Sequence, residues 1–189
     1  MTNVYGVEQK PHLGGYLVGG DNETYCKEVW DWMYKYGIRS VIDVGCGEAH
    51  STKYLYDLGM DVIGIEGGEK AYHNSALKEK VILHDYTIDS FIPNKKYDAI
   101  WCCEFVEHVE EKYISNFLIT FSYAKYIIMT HAIPNQKGYH HVNCQDEQYR
   151  INKLESINYR YNKNITEILR KISKTVHSKR ILFFEQNII

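Results

Sequence analysis

Several features are absent from this 189-residue chain, and each absence narrows its function. No Cys-x-x-Cys pair occurs, and the five cysteines (Cys26, Cys46, Cys102, Cys103, Cys144) are odd in number. A disulfide framework is therefore not expected. Cys102 and Cys103 are adjacent in a strand-like run and read as packing residues, and reduced thiols in a cytoplasmic setting are the simplest expectation. No apolar run approaches the ~20 residues that cross a bilayer. Met1 is not followed by a basic segment and an apolar stretch, so no signal peptide is expected. Internal repeats, low-complexity tracts and linkers are missing. The net charge of −2 supplies no general drive toward nucleic acid. Charge is uneven, however: residues 150–180 carry nine Lys/Arg against Glu155 and Glu167, a local +7, which leaves about −9 on the rest. That excess reads either as solvated helix faces or as a basic edge for an anionic partner.

What is present suits one globular domain with a core of its own: 44% of residues are hydrophobic and 14% aromatic. Residues 1–22 read as an arm, since the run from Pro11 to Gly20 holds four glycines in ten positions. Residues 23–189 read as a single domain. Asp21 or Asn22 is placed to cap a helix from Glu23 to about Tyr36, ended by Gly37. Strands are expected at Ser40–Val44, Asp61–Ile65, Val81–His84, Tyr97–Cys103, Tyr126–Thr130 and Arg180–Gln186. Helices are expected at Ala49–Leu58, Glu69–Glu79, Glu107–Ala124, Gln145–Ile157 and Asn164–Lys174. This alternation predicts an α/β fold with a mostly parallel sheet and helices on both faces. The last strand, arriving after two helices, is expected to enter antiparallel.

In such sheets ligands bind beyond the carboxyl ends of the strands. There the chain places its most informative stretch, Val41-Ile42-Asp43-Val44-Gly45-Cys46-Gly47-Glu48-Ala49-His50. A strand runs into a Gly-x-Gly turn and then a helix start, where a nucleotide-like ligand can lie. Asp43 lies inside an apolar strand and is expected to accept from backbone N–H groups or a ligand ammonium. Glu66 follows Gly45 by 21 residues, near the ~20-residue offset of a ribose-binding acid. Asp85 ends the third strand, where it can accept from an adenine amino group, and Tyr86 is placed to cover that ring. Cys46, Gly47 and Gly67 complete the candidate contacts on this side. His50 stands where a dinucleotide fingerprint has its third glycine and would crowd a pyrophosphate, so a nucleoside without phosphates is favoured.

The motifs Val-Ile-Asp-Val-Gly-Cys-Gly (41–47), Gly64-Ile65-Glu66 and the run from Tyr97 to Val109, with its Glu107-His108-Val109 ending, together resemble the class I S-adenosylmethionine-dependent methyltransferases. The last motif resembles small-molecule enzymes related to ubiquinone biosynthesis. The resemblance covers residues 38–135. It implies a Rossmann-like, seven-stranded, mostly parallel sheet with its last strand antiparallel. It implies S-adenosylmethionine across the first turn, with Glu66 on the ribose, Asp85 near the adenine, and Cys103 and Glu104 beside the methionine part. One departure is Ala49 in place of a third small residue that is often glycine; alanine is expected to pack nearly as well.

Methyl transfer is an in-line displacement at a sulfonium carbon, so alignment matters most and a base adds to it. The loop after the fifth strand supplies His131, His140 and His141 within eleven residues, beside Asn143. A neutral histidine suits proton removal from an alcohol, amine or acid. His108, at an expected helix start, is a further candidate base or a structural residue. His12, in the arm, is a candidate substrate contact along with Asn143. No metal is expected, because His140 and His141 would point apart and no cysteine or acid completes a familiar ligand spacing. The expected acceptor is an oxygen or nitrogen of a small molecule or sugar-like group; nucleic acid and membrane are not expected partners. DNA base methylation is disfavoured because no Asn-Pro-Pro-Tyr-like or Pro-Cys motif follows the fourth strand. Alternatives are a nicotinamide-dependent oxidoreductase, which lacks the third glycine and a Tyr-x-x-x-Lys pair near the right strand, a non-catalytic nucleoside-binding protein, and an RNA methyltransferase.

Overall fold

Strand positions in the sequence alternate between two sets of apolar side chains, and the computed structural model puts those sets on opposite faces of one sheet. It describes residues 5, 6, 10 and 12–187. The strands are β1 (Ser40–Val44), β2 (Asp61–Glu66), β3 (Val81–Leu83), β4 (Tyr97–Cys102), β5 (Ala124–Met129), β6 (Tyr159–Tyr161) and β7 (Leu182–Gln186). Their spatial order is β3-β2-β1-β4-β5-β7-β6. The first five are parallel, with Val44 of β1 opposite both Ile65 of β2 and Cys102 of β4. β7 pairs antiparallel with β5, placing Ile127 opposite Phe184, and β6 pairs antiparallel with the far side of β7. Strand β6 was not visible in the sequence: three residues with one exposed arginine give too short a pattern for an alternation to register.

The helices are α1 (Lys27–Tyr36), α2 (His50–Asp57), α3 (Glu69–His73), α4 (Ile114–Phe121), α5 (Glu147–Glu155) and α6 (Lys163–Ile172). Ile42, Ile100, Ile127 and Phe184 point toward α4 and α5, packing with Phe117, Phe121, Ile151 and Leu154. Val41, Trp101, Ile128 and Phe183 point the other way, toward Val29, Trp30, Met33, Leu55 and Leu169. Period-two alternation on buried strands produces this two-sided core.

Three helix boundaries differ from expectation. α1 starts at Lys27 after Cys26, not at an Asp21 or Asn22 cap, because the Asp21 carboxylate accepts from the Glu23 amide in a local turn. α3 stops at His73, and a separate short turn holds Lys78–Lys80. The expected helix from Glu107 is replaced by two single 3₁₀ turns, Val106–His108 and Glu111–Tyr113, before α4. The extended backbone of Val109 (φ −102°, ψ 120°) separates them, and this break frees Glu107 and His108 from a helix surface. Of the arm, the described part includes a short antiparallel pair, Tyr5–Gly6 with Tyr16–Leu17; the rest of residues 1–11, apart from Lys10, lies outside the described residues.

Candidate active site

The turn after β1 is built on backbone angles that side chains resist. Gly45 and Gly47 both have positive φ, 73° and 55°. A Cβ on Gly45 would strike Phe105, whereas one on Gly47 would meet nothing within 4 Å, because Gly47 faces open cleft. Ala49 sits just before α2 with φ 60° and is fully buried. Its position thus needs a left-handed backbone as well as a small side chain, and alanine tolerates that less easily than glycine. The Glu66 carboxylate, at the end of β2, accepts from the Gly47 and Gly68 amides, 2.8 Å each, so one acid ties the turn to the strand end.

Two adjoining cavities open along the carboxyl edge of the sheet. The smaller, of 90 Å³, is bordered by His12, Leu13, Glu66, Gly67, Asp85 and Tyr86. The larger, of 410 Å³, is bordered by Asp43, Cys46, Cys103, Lys137, His141 and His177, among others. Gly45, Gly47, Glu104 and His108 border both, so they stand at the junction.

In the smaller cavity Asp85 accepts from the Thr87 amide (2.9 Å) and hydroxyl (2.7 Å) and pairs with His12 (2.8 Å). Burial works to raise its pKa, but the bonds from His12 and Thr87 outweigh it and hold the carboxyl below its ordinary value. His12 therefore borders the smaller cavity beside Asp85 and does not border the larger one. Leu13 lies against Gly67, where a Cβ would come within 3.0 Å of it. Tyr86 is buried, with its hydroxyl on Thr120 at 3.0 Å, and lines the smaller cavity together with His12 and Leu13 of the arm.

In the larger cavity Asp43 accepts from the hydroxyls of Ser51 (2.5 Å) and Thr52 (2.7 Å), rather than from a run of backbone amides alone. Burial pushes its pKa up to about 6 against those bonds. The Cys46 and Cys103 thiols are also pushed up, Cys46 by burial and Cys103 by its bond to Cys26 together with burial, so both remain neutral packing groups beside the cleft. Glu104 takes a left-handed backbone (φ 48°), fixed by its amide donating to Thr130 Oγ1 at 2.9 Å. That conformation turns its carboxylate to within 3.4 Å of His177 Nδ1 and 3.6 Å of Arg180 Nη1. Sequence reasoning missed His177 and Arg180, which lie more than seventy positions along the chain.

The histidine loop divides. His141 borders the larger cavity, and His108 borders both. His131 does not reach either: two residues beyond the end of β5, it is buried, with Nδ1 on the Ala132 carbonyl. The His140 side chain is likewise outside both cavities, and its carbonyl serves the chain by bonding His108 Nδ1 at 3.2 Å. Asn143 is buried and structural, donating to the Val109 carbonyl at 3.1 Å while its own carbonyl accepts from Arg150. Burial and the nearby His141 push His108 down to about 4, so it is neutral at physiological pH.

One group has the composition of a metal-ligand set that the sequence did not bring together. Donor atoms of Glu107, His108 and His141 all lie within 4.8 Å of one another. The acid of this group is Glu107, next to His108 in sequence. Glu107 is fully buried, and burial, then the charge of Glu104, pushes it up to about 8. A single helix over residues 107–124 hides its signal; the two short turns before α4 reveal it.

Residues 42–119 match the family model of a methyltransferase domain. No curated protein sequence matches the chain. Among solved structures, the chain resembles magnesium protoporphyrin IX methyltransferase from Synechocystis PCC 6803 with bound SAM, with a TM-score of 0.64 and 17% identity over 87% of this chain and 79% of that one. It also resembles the methyltransferase domain of bacterial CtHen1-C (TM-score 0.61, 15% identity, 88% and 99% covered). A third is the [4+2]-cyclase SpnF (TM-score 0.58, 12% identity, 85% and 81% covered). Identities this low carry the fold alone, and the family match carries the domain. Residues 42–119 are thus similar to a methyltransferase domain, and the chain as a whole has the Rossmann-like fold of the class I S-adenosylmethionine-dependent methyltransferases.

Proposed function

We propose that this protein moves a methyl group from S-adenosylmethionine to an oxygen or nitrogen of a small-molecule or sugar-like acceptor. The observation that carries this reading is the continuous cleft: Glu66 and Asp85 border its narrow end, and Glu104, His108 and His141 border the junction and the wide end. Glu66 receives the ribose hydroxyls, and Asp85 exchanges its bond to His12 for one to the adenine amino group. Gly45 and Gly47 let the nucleoside approach the main chain. The sulfonium then faces the larger cavity, where His141, or the neutral His108, stands beside the attacking atom. In the reaction the acceptor lone pair forms the new bond to the methyl carbon, the carbon–sulfur bond breaks toward sulfur, and the acceptor proton leaves to a base or water.

The rival readings find less support. The two Tyr-x-x-x-Lys spacings do not serve an oxidoreductase here: Tyr149 and Lys153 sit on α5 and both bond Glu111, and Tyr159 is buried with its hydroxyl on main-chain carbonyls. RNA is favoured by the name of one fold neighbour, a small RNA methyltransferase HEN1. The basic excess in residues 150–180, however, is largely paired with acids. Arg150 is buried, Arg170 pairs with Glu147, Arg160 with Glu185, Lys153 with Glu111 and Lys174 with Glu28. No helix among the described residues is long and apolar enough to cross a membrane.

The test pairs binding with turnover. S-adenosylhomocysteine is expected to raise the melting temperature while NAD does not, and methyl-labelled cofactor is expected to label a compound in a metabolite extract. Stabilisation by NAD alone, or binding with no label transferred to metabolites, would overturn the reading; label appearing in RNA would transfer it to that acceptor.

A further inference from the structure

Two carboxylates and two imidazoles meet at the junction of the cavities, and the local bonding has prepared them for something that is positively charged. Glu107 is completely buried, and neither of its carboxylate oxygens has a hydrogen-bond partner; of Glu104, Oε2 faces His177 and Arg180 while Oε1 is without a partner. A buried carboxylate in that condition is costly unless a cation compensates it. Arg150 compensates it only in part: its charge favours the ionised Glu107 from a distance, but its Nη2 donates to the Asn143 carbonyl and no ion pair joins the two among the described residues.

The histidines are oriented from behind. His108 Nδ1 lies 3.2 Å from the His140 carbonyl, and His141 Nδ1 lies 3.1 Å from the Gln136 carbonyl. A carbonyl only accepts, so each Nδ1 carries the proton and each Nε2 keeps its lone pair. This is the arrangement by which a backbone carbonyl fixes the tautomer of a metal-binding histidine. Gly138 makes room for the second ring: a Cβ there would fall 2.2 Å from His141 Nε2.

We propose that Glu107, His108 and His141, with Glu104 beside them, bind one divalent cation at the acceptor end of the cleft, and that the ion holds and acidifies an acceptor hydroxyl. Mixed imidazole and carboxylate donors suit Mn²⁺, Co²⁺ or Zn²⁺ better than an all-oxygen ion. Donor atoms within 4.8 Å of one another close onto metal–ligand distances of about 2.0–2.2 Å with shifts of about half an ångström. The position follows from His108 and Glu104, which border both cavities. The role in transfer rests on the methyltransferase reading above; the cation site itself does not. With the ion in place, the hydroxyl loses its proton to water, the oxygen attacks the methyl carbon, and sulfur takes the electron pair of the broken bond. The acceptor atom is then oxygen rather than nitrogen.

The full chain is stripped with EDTA, dialysed and titrated with Mn²⁺, Co²⁺ and Zn²⁺ by calorimetry. The Co²⁺ absorption spectrum reports imidazole ligation, and S-adenosylhomocysteine binding is measured on the same samples. The expected result is one ion per chain, with affinity reduced at least tenfold in Glu107→Gln and His141→Ala. His141 is the safer variant, because it lies on a partly exposed loop, and circular dichroism checks that it folds. Absence of stoichiometric binding, or equal binding by folded His141→Ala, would overturn the cation site. If nucleoside binding survives that outcome, the methyl-transfer reading stands without it. Metal binding with no nucleoside binding would keep the site and remove its place in methyl transfer.

Discussion

The two ends of the cleft, which the proposed function assigns to the nucleoside and to the acceptor, are built differently. The nucleoside end comes from β1, β2, β3 and the turns that follow them. Its acids sit at strand ends and are held mostly by nearby backbone and hydroxyl groups, as Glu66 is by Gly47 and Gly68. The acceptor end is assembled from residues 104–108, 136–141 and 177–180, and its charged groups are held by one another. Binding a constant ligand needs a fixed frame, which parallel strands supply. An acceptor site is made by loops, which the frame merely carries.

The sharpest way to break this contrast is within the histidine loop. His141→Ala is expected to lower kcat by about 10²-fold or more. His140→Ala, whose side chain lies outside both cavities and whose useful carbonyl survives the substitution, is expected to stay within a few-fold. Equal losses in label-transfer assays would mean that the loop is rearranged in the working enzyme.

Asp43 tests the buried wall of the frame. Its folded pKa, about 6, lies above the ordinary 3.8. The folded state thus holds the proton more tightly, and that stabilisation is full below pH 4 and lost as pH rises through 6. Relative to Asp43→Asn, the unliganded protein is expected to lose up to about 3 kcal/mol between pH 4 and 7. Urea unfolding of both proteins across that range checks it; parallel pH profiles would show that Asp43 does not carry the term.

Glu66→Ala is expected to weaken S-adenosylhomocysteine by about 2 kcal/mol, roughly 30-fold, for the loss of charged hydrogen bonds to the ribose. Isothermal titration reads this directly, and unchanged affinity would contradict the assignment of the narrow end. The smallest effect belongs to His12. It occupies Asp85 in a cavity of only 90 Å³, so the nucleoside must displace it. His12→Ala is expected to tighten binding a few-fold, and weaker binding would make His12 a ligand contact instead.

How much of this was legible in the sequence follows the same division. Strand ends Asp43, Glu66 and Asp85 were readable because a strand, a Gly-x-Gly turn and a helix start occupy consecutive residues. The parallel sheet with a late antiparallel strand followed from alternation of apolar runs; β6 escaped for want of length. At the acceptor end, local pattern misled. The run from Glu107 reads as helical, yet the extended Val109 breaks it, and only that break brings Glu107 and His108 to His141. His131 and Asn143 are equivalent to His141 by composition, but the first is buried just beyond β5 and the second ties Val109 to Arg150. His177 and Arg180 reach Glu104 only because β7 inserts beside β5. Contacts made by tertiary closure leave no periodic trace in a single sequence.

The central claim is that both cavities form one groove for one ligand, with its sulfur at their junction. A crystal structure with S-adenosylhomocysteine tests it most directly. The account predicts ribose hydroxyls on Glu66, the adenine amino group on Asp85 with His12 displaced, and the sulfur opening toward His108 and His141. A nucleoside bound with its ribose away from Glu66, or its sulfur turned from the larger cavity, would contradict it.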